Sequence, residues 1–271
     1  MSFYNMVMQS AESTVVAEYI PETSRSDSYQ SEAELEQEFI RLLITQGYEY
    51  LKIYDKDGLV SNLRRQLELL NDYDFSDGEW NRFFAECIAS NNEGIVEKTR
   101  KIQTDHVRIL RRDDGTIKNI YLLDKKNIHN NRMQVINQYE EHGGVRDTRY
   151  DVTILVNGLP LIHVELKRRG VAIREAFNQI KRYQRDSFWA GSGLYEYVQI
   201  FVISNGTHTK YYSNTTRNSH IKENSESERK RSKKTSNSFE FTSYWADGNN
   251  KIIADIVDFT KTFFAKHTIL N

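Results

Sequence analysis

The chain is poor in the residues that cross-link or stiffen small folds, since its 271 residues include one cysteine and two prolines. The single cysteine, Cys87, excludes an intramolecular disulfide. No apolar run approaches the roughly 18 residues that a membrane span requires. The opening residues, MSFYNMVMQS, have neither the basic nor the apolar segment of a secretion signal. These absences predict a cytoplasmic protein that makes no contact with a membrane.

A large net charge is also missing, because 37 basic residues nearly balance 38 acidic ones. No overall basic field therefore indicates nucleic acid, and a DNA site would have to come from local patches. The seven histidines are never closer than 12 positions, which argues against a histidine-based zinc site. What the chain does have is 38% hydrophobic residues, enough to form the core of one large domain or two small ones.

The hydrophobic pattern predicts helices first and then strands. Ser31 and Glu34 form a capping box, and the apolar positions from Leu35 to Leu43 follow at helical spacing until Gly47. Further helices are predicted over 59–70, 76–90, 93–101, 171–187 and 250–266. Strands are predicted over 118–127, 132–141, 197–206 and 210–215, with two more inside 149–170. The pattern predicts an α/β fold.

Two segments stand outside this pattern. Residues 1–30 are polar and mixed, which predicts a loose N-terminal segment before a domain over 31–271. Residues 217–234 carry seven basic and three acidic residues with almost nothing apolar, which predicts a mobile basic loop. Such a loop is either a solvated insertion or an arm that contacts phosphates.

The segment RYDVTILVNGLPLIHVELKRRG, residues 149–170, is the part of the chain that indicates chemistry. Its two strands carry three charges that a structural hairpin does not need, on Asp151, Glu165 and Lys167. A two-residue turn at Asn157-Gly158 would make the apolar faces of the two strands disagree, because side chains alternate along a strand. We therefore expect a three-residue loop, at 157–159 or at 158–160. Either loop brings the three charges together at one end of the hairpin.

Two carboxylates in a half-dry crevice repel each other unless a cation lies between them, and hard oxygen ligands suit Mg²⁺ or Mn²⁺. Lys167 beside them would orient an attacking water or stabilise the charge that develops on phosphorus. This is the layout of a phosphodiester hydrolase. The alternative is an ordinary edge hairpin with a solvated polar face, and a second E-x-K at 228–230 shows that the tripeptide alone is weak support.

Asp151 together with Glu165-Leu166-Lys167 resembles the PD-(D/E)xK nuclease superfamily, although Tyr150 stands where that family usually has proline. The resemblance implies that Asp151 and Glu165 are metal ligands and that all three charged residues are catalytic.

The predicted helix that follows adds to this resemblance. Gln179 and Tyr183 fit the Q-x-x-x-Y signature of the RecB-like branch and share one helix face. They would support the site or contact DNA, together with Lys181 and Arg182. A helix with an apolar face in the core would also produce such a pair.

A closer resemblance covers nearly the whole chain. Blocks such as DSYQSEAELEQEFIRLLITQGYEY, NIYLLDKKN, the residues 149–183 and FVISNGT are similar to the amino-terminal region of the motor (R) subunit of type I restriction-modification enzymes. This resemblance implies a restriction-endonuclease-like mixed β-sheet flanked by helices. It also implies a Mg²⁺-dependent, sequence-nonspecific endonuclease for double-stranded DNA, with specificity and methyltransferase subunits as partners. A carboxylate on the first helix would lie near the metal, and Glu36 is favoured over Glu32.

Such subunits carry an ATP-driven translocase, yet no G-x-x-x-x-G-K-[S/T] occurs here. We expect a fragment of a longer subunit, with ATP used only by the parent protein. Two other interpretations remain open. One is a non-catalytic DNA-binding or assembly domain of the same fold, which would use Arg168, Arg169, Lys181, Arg182 and 217–234 for phosphate contacts. The other is a stand-alone repair-type nuclease.

Overall fold

The computed structural model describes residues 4–9, 15–19, 30–90, 92–214 and 238–270. The predicted basic loop at 217–234 lies outside these residues, as does much of the predicted N-terminal segment, so both stay predictions. Within the described ranges, no helix is long and apolar enough to cross a lipid bilayer.

The helices of the described residues are α1 (Glu32–Thr45), α2 (Lys56–Asn71), α3 (Asp77–Phe83), α4 (Ile95–Gln103), α5 (Ile173–Asp186), α6 (Ile256–Phe263) and α7 (Lys266–Leu270). A π-helical turn, Phe84–Ile88, continues α3. The start of α1 is the one that its capping box predicts: the Ser31 hydroxyl accepts the Glu34 N–H at 3.2 Å, and the Glu34 carboxylate accepts the Ser31 N–H at 2.8 Å.

The strands are β1 (Tyr4–Gln9), β2 (Val15–Tyr19), β3 (Glu49–Tyr50), β4 (Val107–Arg111), β5 (Ile117–Tyr121), β6 (Met133–Glu141), β7 (Thr148–Val156), β8 (Leu159–Leu166), β9 (Ile200–Ser204), β10 (Thr209–Ser213), β11 (Trp245–Ala246) and β12 (Ile252–Ile253). Six of them form one sheet in the order β10-β9-β8-β7-β6-β3. The pairs β3–β6 and β8–β9 are parallel and the other pairs are antiparallel, so the sheet is mixed, as predicted.

Helices cover both faces of this sheet. Tyr211 and Tyr212 are neighbours in β10 and therefore point to opposite faces. The Tyr211 ring packs on Phe263 of α6, with centroids 4.9 Å apart, whereas the Tyr212 ring packs on Phe177 of α5 at 5.3 Å. Burial on both faces explains why β8 and β9 are apolar runs rather than alternating ones.

The turn between β7 and β8 corrects one prediction. The loop has two residues and not three, because Val156 pairs directly with Leu159. Asn157 and Gly158 take φ values of 49° and 82°, as an Asn-Gly turn of this type requires. The faces still agree because β8 contains a bulge.

The bulge is one residue long. Leu155 pairs with Pro160, but Ile154 pairs with Ile162, so Leu161 is an extra residue in β8. Proline has no N–H to donate and is found in sheets where the ladder is interrupted, which is where Pro160 stands. The bulge restores the alternation that the short turn would have reversed.

Other elements also differ from the sequence predictions, among them β1, β2 and β3, which were not predicted as strands. Strand β4 was not predicted, since only Leu110 of its residues is fully buried and the apolar signal is weak. The predicted helix over 250–266 begins only at Ile256, because the Asp255 carboxylate caps the N–H of Val257 at 2.9 Å. Ile252–Ile253 instead pairs with Trp245–Ala246.

The tight turn generates a stability prediction. A Cβ on Gly158 would lie 2.6 Å from the Leu63 Cα of α2, and the position has φ of +82°. We expect Gly158→Ala to lower the free energy of unfolding by about 2 kcal/mol or more, from backbone strain and overpacking together. Urea denaturation followed by circular dichroism measures the loss. Gly115→Ala is the matched control, because Gly115 has φ of +81° and open space around its Cβ position; it should cost only about 1 kcal/mol. Equal losses in the two variants would contradict the close approach of α2.

Candidate active site

The ends of β7 and β8 bring Asp151 and Glu165 together. Val152 pairs with Val164, which leaves the two carboxylates beside each other at the end of the pairing. The Asp151 Oδ2 accepts the backbone N–H of Leu166 at 2.9 Å, and this bond holds the aspartate against β8. The sequence predicted that Asp151 and Glu165 meet, but by way of a three-residue loop. In the structure, the two-residue turn and the bulge bring them together instead.

Lys167 closes the cluster. Its Nζ donates to Oε1 of Glu165 at 3.0 Å and to the carbonyl oxygen of Leu166 at 2.9 Å. Glu165 has no exposed surface, whereas the Lys167 side chain is 12% exposed. A ligand from solvent would thus reach Glu165 past Lys167 and the half-buried Asp151.

Burial makes this cluster electrostatically costly. Desolvation, reinforced by the charge of Glu165, raises the pKa of Asp151 to about 7. Desolvation also raises the pKa of Glu165 to about 7, against the opposing effect of Lys167. The pKa of Lys167 is raised, because the neighbouring carboxylates outweigh the desolvation that would lower it. Perturbation of this kind is common at sites that bind cations or transfer protons.

The two candidate carboxylates of α1 contact different residues. The Glu32 Oε2 is 3.9 Å from the Lys167 Nζ, and its Oε1 accepts the N–H of Arg168 at 3.3 Å. Glu36 is buried, and its Oε1 accepts the Asn137 amide at 2.6 Å. Desolvation raises the pKa of Glu36, and the charge of Asp151 contributes to the rise. The preference for Glu36 over Glu32 as a ligand stays a prediction.

The Gln138 amide occupies the second oxygen of Glu36, at 2.5 Å. Gln138 has φ of 53°, which is uncommon for a residue other than glycine and turns its side chain out of the regular alternation of β6. The sequence analysis did not identify the amides of Asn137 and Gln138, because no motif marks them.

On α5, Gln179 and Tyr183 bond to each other, the glutamine amide donating to the tyrosine hydroxyl. The same hydroxyl donates to the carbonyl oxygen of Arg149 in β7 at 2.9 Å, and the ring is buried. Tyr183 therefore joins α5 to the strand that carries Asp151. Of the two predicted basic contacts, Arg182 is exposed and Lys181 is half-buried.

A cluster of aromatic rings backs the site. Tyr150, which stands in the usual proline position, is fully buried and donates its hydroxyl to Ser187 at 2.7 Å. Its ring lies 4.9 Å from that of Tyr183 and 5.6 Å from that of His163. Aromatic packing thus replaces the rigidity that a proline would supply in front of Asp151.

His163 shares a strand face with Glu165, as the alternation of side chains along a strand predicts, but the sequence indicated no role for it. It has no exposed surface, and its Nε2 lies 3.6 Å from the Glu165 Oε2. Desolvation lowers the pKa of His163 to about 4, so the ring is neutral at pH 7. A lone histidine in an apolar strand offers no signal that distinguishes it from a core residue.

The residues present fit a divalent cation in part. Asp151 and Glu165 supply the oxygen donors that Mg²⁺ and Mn²⁺ prefer, and Oε2 of Glu165 has no hydrogen-bond partner within the described residues. Among these residues, no group of three His, Cys, Asp or Glu side chains could hold a metal ion by itself. A cation held by these two carboxylates would therefore need further oxygens, as Mg²⁺ takes from water and phosphate.

The chain is similar to one family of known proteins. A model of the family described as "Type I restriction enzyme R protein N terminus" matches residues 29–220, more than two thirds of the chain. The chain is 49% identical over 258 residues to the type I restriction enzyme EcoprrI endonuclease subunit of Escherichia coli, covering 95% of this chain and 77% of that protein. It is 37% identical over 243 residues to the SsaAORF53P endonuclease subunit of Staphylococcus saprophyticus, covering 87% of this chain and 23% of that protein.

A more distant relative is the putative MjaIXP endonuclease subunit of Methanocaldococcus jannaschii, 36% identical over 103 residues. The chain spans about three quarters of the Escherichia coli relative and under a quarter of the staphylococcal one. All the predicted site residues, from Glu32 to Tyr183, fall inside the family match at 29–220.

The raised pKa values generate a prediction about pH and stability. The folded chain retains protons on Asp151 and Glu165 up to about pH 7, whereas the unfolded chain releases them near pH 4. The free energy of unfolding therefore receives an unfavourable contribution that grows from about pH 4 to about pH 7. Asp151→Asn keeps an acceptor for the Leu166 N–H and removes one ionisable group. We expect its stability relative to wild type to rise by on the order of 2 kcal/mol across this window.

Urea denaturation at pH 4.5, 6 and 8 measures this difference. Asp74→Asn is the control, because Asp74 is exposed and lies outside the cluster. A difference between Asp151→Asn and wild type that stays constant with pH would contradict the raised pKa of Asp151.

Proposed function

Because the chain belongs to the family of type I restriction enzyme R protein N-terminal regions, we propose that it is the endonuclease region of such a subunit and hydrolyses phosphodiester bonds in double-stranded DNA. Mg²⁺ or Mn²⁺ is the proposed cofactor. In this proposal cleavage is independent of sequence and recognition falls to a separate specificity subunit, with the specificity and methyltransferase subunits as partners. The proposed compartment is the cytoplasm, and ATP is used only by the translocase of the full-length subunit.

One observation carries this proposal. Asp151, Glu165 and Lys167 are brought together at the ends of two paired strands, in a sheet whose buried side chains are mostly apolar. Holding two carboxylates in such a place raises their pKa values and lowers stability at neutral pH, so a purely structural hairpin has no use for the pair. A divalent cation removes that penalty.

Each residue of the site has its own proposed role. Asp151 and Glu165 would hold the cation, with Glu36 or Glu32 beside them. The cation supplies positive charge for the phosphate oxygens and lowers the pKa of a bound water. Lys167 donates from a position next to Glu165, where it orients the attacking water or stabilises the charge on the phosphorus centre. Tyr183 and Gln179 fix α5 against β7, and their part is support of the site rather than contact with DNA.

Phosphate contacts are assigned to the exposed Arg168 and Arg182 beside the site. Arg169 is less suited, since it bonds Thr207 at 3.1 Å and lies 3.5 Å from Asp255. A non-catalytic DNA-binding domain would use the same arginines, and the buried carboxylate pair is what argues against it. A repair-type nuclease would share the catalytic residues. It would differ from a restriction subunit in the proteins with which it assembles.

Metal binding gives the first test. We expect Mn²⁺ to bind the wild-type chain and to bind Glu165→Gln at least about tenfold more weakly, because one of two charged donors is lost. Isothermal titration calorimetry measures both affinities, and circular dichroism verifies folding. Glu141→Gln is the matched control, since Glu141 is also buried but accepts the Gly143 N–H at 2.9 Å away from the cluster. Equal affinities for wild type and Glu165→Gln would contradict the assignment of Glu165 as a ligand.

Cleavage and DNA binding separate the proposed enzyme from the binding domain. We expect Asp151→Ala to abolish Mg²⁺-dependent nicking of plasmid DNA while leaving DNA affinity within about 1 kcal/mol, since Asp151 makes no favourable contact with phosphate. Arg182→Ala should instead weaken binding and reduce its dependence on salt. Gel shift and plasmid nicking assays measure the two properties. Cleavage that survives Asp151→Ala would overturn the catalytic assignment.

A further inference from the structure

His163 presents two buried polar atoms that lack partners. Within the described part of the chain, neither Nδ1 nor Nε2 of His163 has a hydrogen-bond partner, and the same holds for Oε2 of Glu165. Buried polar groups are normally satisfied, and each exception calls for an explanation. These exceptions lie together, because the His163 Nε2 and the Glu165 Oε2 are 3.6 Å apart.

Aromatic rings determine how His163 is held. Tyr150, Tyr183 and Phe188 contact its ring edge to face, with centroids 5.6 Å, 6.0 Å and 5.4 Å away. Phe201, its register partner in β9, packs in the same manner at 6.5 Å. Rings on four sides leave the imidazole little room to turn, so the direction of Nε2 toward Glu165 is set by packing.

We propose that His163 is a positioning residue for the Glu165 carboxylate, donating its Nε2–H to Oε2 and so holding that carboxylate in one orientation. The inference deepens the proposed function, on which its metal-binding part rests. A separation of 3.6 Å is longer than a hydrogen bond. Hydrogen bonds of this kind are often long in the unliganded state and tighten once the site is filled.

The chemistry of the two groups suits this role. A neutral imidazole has one N–H to donate, and Oε2 of Glu165 is the carboxylate oxygen that lies 3.6 Å from the His163 Nε2. Lys167 takes the other oxygen, Oε1, so the two donors would hold the carboxylate from both sides. Carboxylates that bind metals are commonly fixed by such donors, and their removal costs about 10- to 100-fold in metal affinity.

The proposal also assigns a purpose to the Q-x-x-x-Y pair. Tyr183 is tied by its hydroxyl to Gln179 and to β7, and its ring forms one wall around His163. Because Tyr183 belongs to α5, the position of this helix affects the orientation of His163 and, through His163, that of the Glu165 carboxylate.

Two substitutions separate the effect of the hydrogen-bond donor at residue 163 from the effect of side-chain volume. His163→Gln retains an N–H at the ε position, whereas His163→Leu fills the cavity without one. In calorimetry on the full chain, we expect His163→Leu to bind Mn²⁺ at least about tenfold more weakly than wild type and His163→Gln to stay within about threefold. Thermal melts should show that His163→Leu is as stable as wild type or more so, because two unsatisfied buried nitrogens are removed. Wild-type affinity in both variants, or an equal loss in both, would overturn the proposal.

A measurement on the wild-type chain removes any dependence on how the variants fold. With ¹⁵N-labelled histidine, nuclear magnetic resonance distinguishes which ring nitrogen carries the proton, and His163→Gln assigns the signal. The proposal expects the Nε2–H form, with an Nε2 resonance that moves on addition of Mg²⁺ while the other histidines do not respond. An Nδ1–H form would overturn it.

The two measurements keep this inference apart from the proposed function. A wild-type chain that binds no Mn²⁺ but shows the Nε2–H form supports the hydrogen bond to Glu165 and contradicts the metal site. Strong Mn²⁺ binding together with the Nδ1–H form supports the metal site and contradicts the role of His163.

Discussion

The pairing of β7 with β8 determines where each charged side chain of the candidate active site lies, and one extra residue in β8 sets that pairing. The Asn157-Gly158 turn is short because both residues accept positive φ values. Leu161 then restores the alternation, so that Val152 faces Val164 and the carboxylates meet beyond them. Without the bulge, the side chains of β8 would point to the opposite faces, and Glu165 would be separated from Asp151.

Burying these charged groups lowers the free energy of unfolding, and the packing of the rest of the structure offsets that loss. Two carboxylates and a histidine lie in an apolar sheet covered by helices on both faces, where desolvation disfavours every charged form. The rings of Tyr150, Tyr183 and Phe188 pack against one another on one side of the cluster and belong to the core that surrounds it. The proposed cation would offset this electrostatic cost, which connects the burial of the site to its proposed chemistry.

The family and the site support the proposed function in different ways. Membership of the R protein N-terminal family follows from the match over 29–220 and from 49% identity to a curated relative. The site adds the atoms that the proposed reaction would use: Oδ2 of Asp151 accepts the Leu166 N–H, Oε1 of Glu165 accepts from Lys167, and Oε2 of Glu165 faces His163. The match covers 77% of the Escherichia coli relative and 23% of the Staphylococcus saprophyticus relative.

The sequence by itself determined the elements and the charged triad. Its capping box predicted the start of α1, its apolar runs predicted the central strands, and its resemblance to known nucleases indicated Asp151, Glu165 and Lys167. Local signals of this kind depend on residues a few positions apart, so a single chain carries them. Only the tertiary structure decided the bulge at Leu161, the late start of α6, the different partners of Glu32 and Glu36, and the distance between His163 and Glu165. The contacts of Glu32 with Arg168 and of Glu36 with Asn137 join segments distant in sequence, and strand pairing sets the bulge, so hydrogen bonding and packing override the local apolar pattern there. The start of α6 and the His163–Glu165 distance depend on side-chain geometry that the apolar pattern does not carry.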